Sequence, residues 1–183
     1  MKILYALQAT GNGHIARANV LIPKLKEFAE VDVFISGQNS QLTLNTNATQ
    51  NKGISLFYSK SGGLNYKKII HKNSLLHFFK SVRNVPIQSY DLIVNDFEPV
   101  TAYAARLRNK KIVGLSHQSA VLHQKAPKPE KKYRLGKMVL ERYAPVKNSL
   151  GFHFTKYDNT IFHPVLRDSI KSLQTTEKEY FLV

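Results

Sequence analysis

The sharpest chemical signal in the chain is Gln8 to His14, a polar, glycine-bearing turn that ends on an imidazole. Lys2 to Leu7 precedes it, a short apolar run free of turn residues, as in a strand buried on both faces. Ile15 then opens a helical pattern. Gly11 and Gly13 let backbone amides approach a ligand, and the first helical turn points unpaired N–H groups outward, so the turn suits negative charge. His14 adds reactivity. The positive end of the helix dipole favours the neutral ring, which beside an anion-receptive turn suits deprotonating an alcohol. The plainer role for the same side chain is to cap the helix or fill the turn.

Other chemistries are poorly served. Gly11-Asn12-Gly13-His14-Ile15-Ala16 formally fits the dinucleotide fingerprint, but that site needs an acid at the end of the second strand. The second strand ends in Ser36-Gly37, with Asp32 near its start. No Gly-Lys-Ser/Thr phosphate loop and no G-x-S-x-G elbow occurs. His71, His77, His123, His153 and His163 lack metal-ligand spacing and there is no cysteine, so neither a metal site nor a cofactor is expected.

Elements that would position His14 can be read from periodicity. Ile15 to Phe28 carries apolar residues at helical spacing, with Pro23 expected to kink or shorten the helix. Strands are expected at Val31–Ile35, Ile54–Tyr58, Asp91–Asn95, Lys111–Leu115 and Leu150–Phe154. Helices are expected at Tyr66–Arg83, with an apolar face through Ile69, Leu76, Phe79 and Val82, and at Pro99–Arg108. The basic segment Lys125–Lys137 should run into a helix ending near Tyr143, and Pro164–Leu173 into a last one. Strands alternating with helices predict an α/β fold with a mostly parallel sheet, whose ligands sit beyond the carboxyl ends of the strands.

Polar residues gather at those ends. Gln8 to His14 follows the first strand, Ser36-Gly37 the second, and Ser61 to Asn65, with Gly63, the third. Asn95, Asp96 and Glu98 follow the fourth, and Ser116, His117, Gln118 and Ser119 the fifth. That is a cleft. Asp96 could orient His14 or bind sugar hydroxyls, or it could cap the helix that starts near Pro99. Glu98 could share those roles or compensate the helix dipole. His117 and Gln118 could donate hydrogen bonds to an acceptor.

The chain has 183 residues, enough for one well-buried domain, and 27 Lys plus Arg against 12 acids, a net charge of +15. That surplus favours an anionic partner: nucleic acid, a membrane surface or phosphorylated ligands. No apolar run nears the roughly 20 residues that span a bilayer, and no signal peptide precedes the first strand, so a cytoplasmic protein is expected.

Gln8 to Arg17 resembles the N-terminal motif of family 28 glycosyltransferases of the GT-B fold. Asn95-Asp96-Phe97-Glu98-Pro99 and Leu115-Ser116-His117-Gln118-Ser119 are similar to motifs of uncharacterised bacterial family-28-like enzymes. His163-Pro164-Val165-Leu166-Arg167 resembles the hinge between the two GT-B domains. The resemblance implies a Rossmann-like, doubly wound sheet with helices on both faces, the acceptor-binding half of the fold. It also implies inverting transfer of a hexosyl group from a nucleotide-sugar to an acceptor hydroxyl. His14 and Asp96 then become the catalytic candidates, and Gly11, Asn12, Gly13, Gly63, Glu98, His117 and Gln118 the substrate-binding ones.

On this reading residues 1–163 form the acceptor domain, and 164–183 the hinge and first strand of a missing donor domain. Glu179 to Val183 looks like that strand, severed. Truncation and a natural half that docks with a separate donor subunit both fit, and an unpaired apolar edge favours truncation. The basic helix from Tyr66 to Arg83 and the Lys125–Lys137 segment suit an anionic membrane face and a lipid-linked acceptor, as does a peripheral place at the inner membrane. The rival is a non-catalytic module binding nucleic acid or another polyanion, with Tyr133 and Tyr143 as stacking surfaces. It leaves the strand-end cluster unexplained.

Overall fold

The first apolar run becomes β1, Lys2–Gln8, an interior strand of the sheet. A computed structural model describes residues 1–38, 40–60, 62–128, 134–177 and 179. After β1 come α1 (Asn12–Lys26), β2 (Glu30–Ser36), β3 (Thr49–Asn51), α2 (Tyr66–Lys72) and α3 (Leu75–Asn84). A short 3-10 turn at Ile87–Ser89 leads into β4 (Leu92–Asp96), α4 (Pro99–Leu107), β5 (Ile112–Ser116) and α5 (His117–Leu122). The described chain closes with α6 (Arg134–Arg142), β6 (Asn148–Phe152), β7 (Ile161–Phe162) and α7 (Asp168–Lys171).

All seven strands are parallel, in the order β3-β2-β1-β4-β5-β6-β7. Leu7 pairs with Ile35 on one side and Asp96 on the other, so the ends of β1, β2 and β4 lie together. Chain order reverses between β1 and β4, which makes their carboxyl ends the switch point where such sheets bind ligands. This is the doubly wound, Rossmann-like sheet expected from the sequence.

Period-two alternation gives β1 two apolar faces. Ile3, Tyr5 and Leu7 pack with Ile15, Ala18 and Ile22 of α1. Leu4 and Ala6 pack against the opposite layer, with Phe78 and Val82 of α3 and Val100 and Ala104 of α4. Ile15 and Ile22 are essentially fully buried, each contributing about 1.5–3 kcal/mol relative to exposure. Helix α1 runs through Pro23 and ends at Lys26, which leaves Phe28 beyond it and exposed.

The sequence expectation fails in two places for one reason. Ile54 to Tyr58 is not a ladder strand, and the sheet edge is instead Thr49–Asn51, paired with Phe34 to Ser36. Side chains take the backbone of 54–55. Asn73 accepts from Ser55 N (2.7 Å) and donates to Ser55 O (2.9 Å), while Gln8 Nε2 donates to Ile54 O (2.8 Å). The same Asn73 donates to Ile69 O (2.7 Å) and ends α2, and Ser74 caps a fresh helix through His77 N (3.2 Å). One long helix is thus two. Leu76 and Phe79, expected on its apolar face, are exposed, and Phe78 and Val82 turn inward.

Helix α5 and strand β7 had no sequence expectation, because each is only a few residues long. Tyr180 to Val183, most of the expected severed strand, lie outside the described residues, as do Tyr133 and part of the Lys125–Lys137 segment. No helix among the described residues is long and apolar enough to cross a membrane.

Helix α5 rests on β6 at Gly151, where an added methyl would sit 2.8 Å from Ala120 N and 2.7 Å from the Ile161 side chain. Gly151→Ala should therefore destabilise the fold by about 1–3 kcal/mol, or roughly 3–9 °C in Tm. Gly13→Ala, where a methyl meets nothing within 4 Å, should leave Tm unchanged or raised. Differential scanning calorimetry of both variants checks the contrast.

Candidate active site

Alternation along β4 decides which way its terminal side chains go. Ile93 belongs to the α4 layer and Val94 to the α1 layer, so Asn95 follows the first and Asp96 the second. Asn95 shapes the turn that follows, donating to Glu98 O (2.7 Å) and Thr101 Oγ1 (2.9 Å) and accepting from Glu98 N (3.1 Å). Phe97 is held there in a left-handed backbone conformation (φ 58°), a cost of order 1 kcal/mol that the surrounding bonds offset.

Asp96, fully buried, meets one face of α1, where His14 and Arg17 are a turn apart. Arg17 Nη2 donates to both carboxylate oxygens (2.6 and 2.8 Å) and Nε to Oδ2 (3.0 Å). His14 Nδ1 lies 2.8 Å from Asp96 Oδ1 and 3.2 Å from Arg17 Nη2. A carboxylate only accepts and a guanidinium only donates, so the shorter contact assigns the proton to Nδ1 and the lone pair to Nε2. Burial pushes the Asp96 carboxyl up, but His14 and Arg17 outweigh it and hold it below the usual carboxylate range. Burial likewise works against the Arg17 charge, and Asp96 overcomes it.

Glu98 plays a different part. Its carboxylate accepts from Val100 N (2.8 Å), Thr101 N and Thr101 Oγ1 (both 2.7 Å), and Ser36 Oγ (2.6 Å). It is the cap of α4, and burial raises its carboxyl above the ordinary value despite those donors. Capping thus falls to Glu98, leaving Asp96 for α1. Helices α2 and α3 are also capped by side chains, Asn65 and Ser74, whereas α1 and α5 begin with none.

The uncapped starts of α1 and α5 share a cleft of about 210 Å³. Gly11, Gly13, His14 and Arg17 line it from α1 and its turn, and His117 and Gln118 from α5, with Gln8, Thr10, Leu56, Tyr58 and Phe97 completing the wall. Thr10 Oγ1 and Gln118 Oε1 are buried without a hydrogen-bond partner among the described residues, so both remain for a ligand. His117 Nδ1 lies 2.7 Å from Phe152 O, which puts its proton there and leaves Nε2 as an acceptor. A larger hollow of about 500 Å³ shares Phe97 and Gln118 and continues past Ser116, Ser119, His123 and Asp158.

Of the residues expected at the site, His14 and Asp96 are in contact, and Gly11, Gly13, His117 and Gln118 line the same cleft. Asn12 reaches elsewhere: its Oδ1 accepts from Gln41 N (2.9 Å) and Leu42 N (3.3 Å). Gly63 turns back to Ser59, its carbonyl accepting from Ser59 N (2.7 Å), and does not line the cleft. The Glu98 carboxylate is enclosed. Arg17, Thr10 and Tyr58 were not expected, although Arg17 stands three residues after His14 and its partner was visible in that spacing. Tyr143, considered as a stacking surface, is packed on Phe97 (ring centroids 4.9 Å apart) with its hydroxyl bonded to Ile54 O and Gln8 Nε2. No group of three His, Cys, Asp or Glu among the described residues could hold a metal ion.

A doubly wound parallel sheet with a polar cleft at its switch point is the arrangement in which α/β enzymes bind their ligands. The family model described as glycosyl transferase family 1 matches residues 1–183, and the chain belongs to that family. Among solved structures it is similar to MurG from Acinetobacter baumannii, at 17% identity and a TM-score of 0.45, covering 87% of this chain and 44% of that one. The chain thus spans less than half the length of that structure. No curated protein matches it.

Because the Asp96 carboxyl titrates lower in the folded chain than in the unfolded one, its pairing stabilises fully above about pH 4 and is lost as pH falls through the folded value. Asp96→Asn, which leaves Arg17 buried beside a neutral group, should cost about 3–5 kcal/mol at pH 7. The gap should narrow below about pH 4, as read by urea unfolding across pH. A gap independent of pH would mean that Asp96 is not ionised in the native chain.

Proposed function

We propose that this chain is the acceptor-binding half of an inverting, family-28-like hexosyltransferase, and that His14 is its base. The observation that carries the reading is the His14–Asp96 contact at the switch point, with the Nδ1 proton directed to a carboxylate and Nε2 left basic. The acceptor hydroxyl attacks the anomeric carbon of a nucleotide-sugar, and its proton passes to His14 Nε2. The bond from that carbon to the diphosphate oxygen breaks, and the nucleoside diphosphate leaves with the electron pair. Asp96 orients the ring and stabilises the imidazolium, and Arg17, bonded to both of its oxygens, fixes Asp96 in place.

Gly11 and Gly13, at an α1 start that no side chain caps, suit the diphosphate side of the cleft. Thr10, His117 and Gln118 offer polar atoms to the acceptor, whose body fits the adjoining 500 Å³ hollow. The donor nucleotide would be held chiefly by a second domain, continuous with this chain or supplied by a separate subunit.

Three measurements test this. In ¹³C-histidine-labelled chain, titrated with methyl and octyl hexosides, the His14 and His117 ring resonances should shift saturably in the millimolar range. His14→Gln and His117→Gln variants assign them. Resonances that ignore every hexoside but respond to UDP-hexose would assign the cleft to the donor instead. The chain alone should release no UDP from UDP-hexose, and turnover by it would overturn the half-enzyme reading. Paired with a donor domain, His14→Ala should lower kcat about 10²–10⁴-fold.

A further inference from the structure

We infer that the 500 Å³ hollow beside the cleft binds an uncharged glycosyl unit, so that the acceptor is itself a saccharide of at least two sugars. That this saccharide is the acceptor rests on the proposed function. That the hollow binds one does not.

The hollow exists because the sheet carries small side chains there. By alternation Gly114 and Ser116 continue the face of Ile112, and Gly114 pairs with Ser149 of β6. Nothing larger fits, since a methyl on Gly114 would sit 2.9 Å from Ser149 Cβ. Where β1 and β4 offer this layer Leu4 and Ile93, β5 and β6 offer glycine and serine, and the space between them and α6 stays open. Its size lies within the range of small-molecule sites.

Its polar groups are unspent. The side chains of Ser116, Gln118, Ser119 and Ser149 make no hydrogen bond among the described residues, although Ser116 is buried and Gln118 Oε1 is enclosed. Polar groups in such places are nearly always paired, so a set left over on one wall is available to a ligand. Between them stand Phe97, Leu122, Leu140 and Val146. Hydroxyl-bonding groups interleaved with apolar ones match a sugar ring, whose rim carries hydroxyls and whose faces carry C–H.

Charge narrows the ligand further. The chain has 27 Lys and Arg, yet none lines the hollow among the described residues. The carboxylates on its wall, Glu141 and Asp158, are already engaged. Glu141 lies 3.5 Å from Lys137, and His123, whose Nδ1 accepts from Lys125 N (3.2 Å), donates from Nε2 to Asp158 Oδ2 (2.8 Å). A phosphate would shed its water and meet no cation, and an amine would find both acids taken. The hollow shares Phe97 and Gln118 with the His14 cleft, so one sugar can face His14 while the next lies in the hollow.

Titration of ¹³C-histidine-labelled chain with maltose, cellobiose and lactose, each beside its 1-phosphate, tests the inference. His123 lines the hollow, whereas His14 and His117 do not, and His123→Gln assigns its resonance. At least one neutral disaccharide should move His123 saturably, with a Kd at least about tenfold below that of a methyl hexoside and of its own 1-phosphate. Ser116→Ala/Ser119→Ala should weaken that disaccharide at least about fivefold with Tm unchanged, since neither hydroxyl is bonded within the protein. Ser119→Lys should bring the 1-phosphate up to or past its parent. Phosphates that bind wild type as tightly as their parents would overturn the inference, as would a serine double variant that binds like wild type. So would the absence of any disaccharide that moves His123 in the millimolar range. If hexosides still move His14 in that case, the acceptor cleft stands without the second sugar. Disaccharides that move His123 while His14 ignores every sugar would keep the glycosyl site and remove its place in the acceptor.

Discussion

The buried pairing of Arg17 with Asp96 is the constraint on which the site is built. Two charges removed from water are costly unless each finds its partner, and here three N–H···O contacts join them at the end of β4. The pair fastens α1 to β4 at the place where chain order reverses. His14 inherits its position from that fastening. One turn from Arg17, with Nδ1 against the same carboxylate, the ring has little freedom left, so the Nε2 lone pair of the proposed base is presented in one orientation.

Two acids two residues apart in sequence end in opposite layers with opposite behaviour. Asp96 goes to the cationic side and is held ionised. Glu98 goes to the other side, caps α4, and is raised by burial. The left-handed Phe97 between them makes the change of direction, and Asn95 pins the turn from inside. The short span from 95 to 98 thus supplies both the orienting carboxylate and the helix start that keeps it in place.

The sheet and the cleft were legible because they follow from local pattern. Apolar runs, glycine turns and polar strand ends put His14, Asp96, His117 and Gln118 at one end of a parallel sheet. What escaped was set by side chains acting over long sequence distances. Nothing near Ile54 announces that Gln8 takes its carbonyl and that Asn73 takes both backbone groups of Ser55, so a strand-like run gives up its ladder. The same amide of Asn73 cuts a helix that composition alone would continue. The bonds of Asn12 are equally remote in sequence, since its carboxamide serves the backbone of 41 and 42, about thirty residues on.

Asn73 makes a mechanical link. With one amide it grips the last turn of α2 at Ile69 and the backbone at Ser55, and the next carbonyl back, Ile54, is gripped in turn by Gln8 at the tip of β1. The outer helices and the pocket floor therefore act as two arms of one lever. A displacement of α2 therefore pulls on Ser55, whose neighbours Leu56 and Tyr58 stand in the cleft wall.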